Sequence, residues 1–99
     1  MSSFGIEFHP EALAEARAAK DWYHERSPEI AEGFGRDIAK AIDVISEGPF
    51  RWPETSQGVR RYVLRRFPFL IVYKVVDSLI YVIAVAHGRR LPGYWRDRR

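Results

Sequence analysis

Cysteine is absent from the 99 residues, which rules out a disulfide framework or a thiolate zinc site and suits a reducing compartment. Long apolar runs are missing as well. The longest, Leu79 to Ala86, is of strand length and far short of the roughly 18 residues of a membrane span, so no membrane partner is expected. The first ten residues, MSSFGIEFHP, lack the charged start and apolar stretch of a secretory signal, and a cytoplasmic location is the expectation. No two histidines have metal-ligand spacing, and there is no glycine-rich phosphate loop, nucleophile elbow or close pair of acids in a predicted cleft. Neither a metal nor a cofactor is therefore expected. A chain of this length fits one domain with a single modest core.

Acidic residues are scarce in one half only. The net charge of +3 combines a first half, residues 1–50, with five basic and ten acidic side chains, and a second half, residues 51–99, with eleven basic and three acidic. Thirteen of the sixteen basic residues are arginine, whose planar fork pairs with phosphate or carboxylate and stacks on aromatic faces. This asymmetry fits either a polyanionic or acidic partner, or a solubilising charge pattern.

The segment Phe4 to Phe8 alternates weakly and reads as a short strand. Helical signals follow at once. Pro10 suits a first helical position with Glu11 beside the positive end of the dipole, and Leu13, Ala16, Ala19 and Tyr23 fall on one face. Ser27-Pro28-Glu29 starts a second helix, in which Ile30, Phe34, Ile38, Ile42 and Ile45 recur until Glu47-Gly48-Pro49 stops it. Residues 50–58 read as a loop. Val59–Phe67, Phe69–Val76 and Leu79–Ala86 are rich in Val, Ile, Tyr and Phe, are separated by Pro68 and by Asp77-Ser78, and form a three-stranded antiparallel meander. Helices first and strands clustered later give an α+β fold with the helical hairpin on one face of the sheet.

Alternation assigns the polar groups to faces. In the first meander strand Arg61, Val63 and Arg65 share one face, the more open one, and Arg60, Tyr62, Leu64 and Arg66 the other. In the last strand Leu79, Tyr81, Ile83, Val85 and His87 share a face, opposite Ile80, Val82, Ala84 and Ala86. Both faces are apolar, as in a central, covered strand. His87 sits where the strand leaves the sheet. It reads either as a strand-end histidine held by a backbone hydrogen bond or as a proton-transfer group beside a phosphate. His9 and His24, before and at the end of a helix, read as structural. Tyr94 and Trp95 read either as anchors packing the tail against the domain or as stacking platforms for an unpaired base. Arg96 to Arg99 read as a solvated end.

The order strand, two helices, loop and three strands, with the run FPFLIVYKVVDSLIYVIAVAHGRR, resembles the RelE/ParE superfamily of toxins from bacterial type II toxin–antitoxin modules. The resemblance covers nearly the whole chain. It implies a β-α-α-β-β-β fold, a single toxin domain over residues 1–99 with a basic tail over 88–99, and a cognate antitoxin as partner. RelE-like members cleave mRNA on the ribosome, whereas ParE-like members inhibit DNA gyrase without acting as nucleases. The resemblance puts ribosome-dependent endoribonuclease activity first, with the ribosome and mRNA as partners. Gyrase inhibition, or an inactive fold that only binds its antitoxin, are the alternatives.

Carried onto matching positions, the RelE pattern implies Arg61, Arg65 and Arg90 as cations around a scissile phosphate, with His87 as acid or base. Arg89, Tyr94 and Trp95 would bind substrate. Leu70 and Val63 stand where that pattern has basic side chains, and a cation aimed at developing charge is typically worth about 2.7–4 kcal/mol by analogy with oxyanion-hole donors. The arginine-rich surface suits an acidic amphipathic antitoxin segment.

Overall fold

The computed structural model describes residues 3–55 and 57–98. Strand β1 (Gly5–Phe8) leads into helices α1 (Pro10–Arg26) and α2 (Pro28–Glu47), followed by strands β2 (Arg60–Val63), β3 (Phe69–Val76) and β4 (Leu79–His87). The four strands form one sheet in the order β1-β4-β3-β2. The meander is antiparallel, and β1 runs parallel to β4. This is the expected β-α-α-β-β-β arrangement.

Local chemistry sets the helix ends. The His9 ring nitrogen Nδ1 accepts the Glu11 N–H at 3.0 Å and caps α1. Ser27 ends α1 and begins α2: its N–H donates to the Tyr23 carbonyl, and its hydroxyl accepts from the Ile30 N–H, while Pro28 fills the first position of α2 where no N–H is needed. One residue therefore serves both helices, and the hairpin is tight. The buried stripes differ from the expected ones by small residues. Ala12 and Ala19 are buried in α1 while Leu13 is exposed, and Ala31 is buried in α2 while Ile30 is exposed. Alanines let the helices approach each other and the sheet, and the larger side chains one position away are turned outward.

Two apolar layers hold the sheet. On the helix side, Phe34, Ile45, Ile71, Tyr73, Ile80, Val82 and Val85 are buried together. Tyr73 is fully buried and satisfies its hydroxyl by donating to the Pro49 carbonyl at 2.7 Å. Burial pushes this phenol up to about 12. On the other side Val59, Val72, Ile83, Ala84 and Ala86 are covered by Trp95 of the tail, itself 4% exposed. Trp95 thus packs the tail onto the sheet.

Two features of the meander depart from the sequence reading. Strand β2 ends at Val63 rather than Phe67, because Val63 pairs with Leu70 and the chain must reverse between them. The Leu64 N–H closes this turn on the Phe69 carbonyl, so Arg65 and Arg66 lie in the turn and not on the strand. Strand β4 carries a bulge: Val72 pairs with Ala84 but Tyr73 with Val82, leaving Ile83 without a partner. An extra residue inverts the alternation beyond it. Ile83 and Ala84 therefore both face the tail, and Val85 and His87 move to the helix side with Ile80 and Val82. The expected grouping of Val85 and His87 with Leu79, Tyr81 and Ile83 is corrected by this one residue.

Candidate functional site

Strand β1 stops at Phe8, which pairs with Val82, so the edge of β4 beyond that point has no strand beside it. Two side chains take its place. Glu15 of α1 accepts the Val85 N–H at 3.0 Å, and Arg98 of the tail donates to the Ile83 carbonyl at 3.0 Å. The two also bind each other bidentately, at 2.8 and 2.9 Å, and the Tyr94 hydroxyl donates to Glu15 at 2.7 Å. Arg90 lies 3.5 Å from the same carboxylate and stacks on the Tyr94 ring.

The electrostatics follow from this geometry. Burial alone would raise the Glu15 carboxyl, but donors on Arg98, Tyr94 and Val85 outweigh it and hold it below the ordinary carboxylate value. Burial and the bond to Glu15 raise the Tyr94 phenol, so Tyr94 stays protonated as a donor. The Arg98 side chain is only 10% exposed. The expectation of a solvated end from Arg96 onward is therefore corrected at Arg98, a largely covered arginine that donates to the Glu15 carboxylate and to the Ile83 carbonyl. Arg99 lies outside the described residues. Neither Glu15 nor Arg98 was singled out from the sequence. The available signal was a glutamate bordering an inward alanine stripe, Ala12, Ala16 and Ala19, where a carboxylate needs a cationic partner.

His87 opens on the opposite side of β4. It lines a cavity of about 360 Å³ with Ala19, Trp22, Tyr23, Pro68 and Phe69, and its ring meets Phe69 edge-on. Its Nδ1 accepts the Arg89 N–H at 3.1 Å, so a neutral ring carries its proton on Nε2. Arg61 pairs with Val72 on the tail side of the sheet and is exposed. It shares that face with Val63 and Leu70, which carry no charge. Arg65 lies elsewhere again, in a cleft of about 590 Å³ between α2 and the end of β2, lined also by Asp37, Lys40, Val44, Trp52 and Arg66. The structure thus brings Arg90, Tyr94 and Trp95 together around the tail, and sets Arg61, Arg65 and His87 in three separate surroundings. Arg89 is exposed beside His87.

Comparison with known proteins gives this arrangement a family. A family model described as "ParE toxin of type II toxin-antitoxin system, parDE" matches residues 6–92. The chain belongs to the ParE toxin family. Within the wider RelE/ParE superfamily it is 30% identical over 80 residues to Toxin RelE2 of Caulobacter vibrioides, covering 81% of this chain and 90% of that protein. Its fold is similar to that of the chromosomal ParDE toxin–antitoxin system from P. aeruginosa, with a TM-score of 0.75 at 22% identity over 86% of this chain and 96% of that one. It is also similar to a mutant of E. coli toxin RelE in the free state, with a TM-score of 0.61 at 22% identity over 90% and 86%. Membership of the ParE family makes this chain a toxin of a type II module and implies an antitoxin partner. Among the described residues, no helix is long and apolar enough to cross a membrane, and no group of acids and histidines could hold a metal.

Proposed function

We propose that this ParE-family toxin arrests growth in the cytoplasm by binding DNA gyrase, without cutting RNA. The observation that carries this reading is the separation of the RelE-like residues. His87 opens under the helices while Arg61 projects from the other face of the sheet, and proton transfer to or from a phosphate-bound substrate needs acid, base and cations within hydrogen-bond reach of one reacting centre. Two further observations support it. Tyr94 and Arg90 are engaged by Glu15 at the β4 edge, and the face bearing Arg61 has apolar Val63 and Leu70 where cations would be required. Purified toxin should stop gyrase supercoiling of relaxed plasmid and leave mRNA intact in a translation extract.

A second reading, ribosome-dependent mRNA cleavage, is favoured by one observation. His87 faces a cavity walled by Trp22, Tyr23 and Phe69 with the exposed Arg89 beside it, a setting in which aromatic rings can stack a base. Message cut by the wild type and spared by His87→Ala, with supercoiling untouched, would replace the first reading by this one.

A further inference from the structure

The tail is tied to the body differently from any strand. Its last main-chain bond to the sheet is the Gly88 N–H on the Pro68 carbonyl at 2.8 Å, and beyond it the main-chain bonds among the described residues are short-range: Arg90 to His87, Arg96 to Gly93 and Arg98 to Trp95. Side chains make the remaining attachments. Trp95 and Tyr94 pack on the tail-side apolar layer, and the polar contacts converge on one carboxylate. Tyr94 and Arg98 donate to Glu15 and Arg90 lies beside it; only the contacts of Arg98 with the Ile83 carbonyl and Glu11 fall elsewhere. The Tyr94 ring also carries both guanidinium groups, at 3.6 and 5.1 Å, and meets Trp95 edge-on. Contacts shared in this way are lost together. The larger core does not need them. Phe34, Ile45, Ile71, Tyr73, Ile80 and Val82 form the helix-side layer, and no residue of the tail packs in it.

We infer that the tail is a strap, latched at Glu15, that opens as one unit about Gly88 while the helices and the sheet stay folded. Opening uncovers Val59, Val72, Ile83, Ala84 and Ala86 and frees the Ile83 carbonyl at the β4 edge. The toxin therefore has a second apolar face that is present only with the tail open, reached by a local opening smaller than global unfolding. This does not depend on which target the toxin meets.

The test exploits the absence of cysteine, because a single introduced thiol reports when its site becomes accessible. Ala84→Cys and Val82→Cys place that thiol at two fully buried positions of β4, the first on the tail side and the second on the helix side. Circular dichroism and melting confirm that each full-length variant is folded before labelling with a thiol reagent. The Ala84→Cys thiol should label at least tenfold faster than the Val82→Cys thiol, yet far slower than in urea. Adding Ile45→Val, which weakens only the helix-side layer, should speed labelling of the Val82→Cys thiol by roughly two- to tenfold and that of the Ala84→Cys thiol by less than twofold. Adding Arg98→Ala, at the far end of the tail, should speed the Ala84→Cys thiol by about tenfold or more. Two thiols that label at the same rate and respond alike to Ile45→Val would overturn the strap, since the face would then open only with the whole domain. An Ala84→Cys thiol as reactive as in urea, or one unmoved by Arg98→Ala, overturns it as well.

Discussion

Replacing Glu15 by Gln should destabilise the protein more than any other single exposed-to-half-buried polar change, because one carboxylate completes a sheet edge, a tail and an arginine together. Glu15 accepts from Val85, Tyr94 and both terminal nitrogens of Arg98, and its side chain is 16% exposed. Removing one partner of a buried ion pair costs about 3–5 kcal/mol. Two features place this site at or below the lower end: Arg98 keeps the Ile83 carbonyl and, at 3.6 Å, Glu11, and glutamine still offers one acceptor. We therefore expect a loss of about 3 kcal/mol. For a domain of this size that corresponds to a fall in Tm of at least roughly 12 °C. Urea titration at neutral pH, followed by far-UV circular dichroism, measures it.

The acid dependence carries the sign. Because the folded carboxyl is held below its ordinary value of 4.5, its contribution is fully present above that value and is lost as pH falls through the lower, folded one. The gap between wild type and Glu15→Gln should stay constant near neutrality and close in acid. A variant within about 0.5 kcal/mol of wild type, the range of ordinary surface changes, would refute the edge-completing role. So would a gap that persists unchanged at low pH.

Three further outcomes follow from the same contacts. Trp95→Ala, at a site 4% exposed against Val72 and Ala84, should cost about 3–5 kcal/mol and speed hydrogen exchange along the tail and the β4 edge more than in α2. Tyr73→Phe removes the bond to the Pro49 carbonyl at a cost of about 1 kcal/mol. Tyr73 is held neutral to about 12 against an ordinary 10.0, so wild-type stability should fall as pH rises between those values, and the phenylalanine variant should show a shallower decline in alkaline denaturation. His87→Ala should leave gyrase inhibition within about twofold of wild type, since a group acting only in proton transfer adds nothing to a binding inhibitor; a large loss would move the target-binding surface to the His87 cavity.

The path from sequence to fold was legible where periodicity and punctuation agree. Ser27-Pro28, the stop at Gly48-Pro49 and the Asp77-Ser78 turn each mark a boundary through a group whose preference is local: a cap, a missing N–H, or, at Asp77, a φ of 55° that aspartate tolerates. Which face of a helix is buried was legible only to within one residue. Ala12 and Ala31 won over Leu13 and Ile30 because close approach between elements selects for small side chains as well as apolar ones.

The candidate site was harder to read, for a reason located at Ile83. A strand apolar on both faces gives no periodic mark of a bulge, because Ile83 and Ala84 are equally acceptable neighbours on the tail side. Yet that one unpaired residue decides whether His87 stands beside Arg61 or across the sheet from it. The same blindness hid Glu15 and Arg98, 83 residues apart: the need for them arises only where β1 stops short of Val85 and leaves a backbone edge to be satisfied. The arginines of the tail, which in sequence form one basic run, therefore separate by where the sheet edge falls. Arg98 belongs to the fold through Glu15 and the Ile83 carbonyl, and Arg90 leans on it through Tyr94.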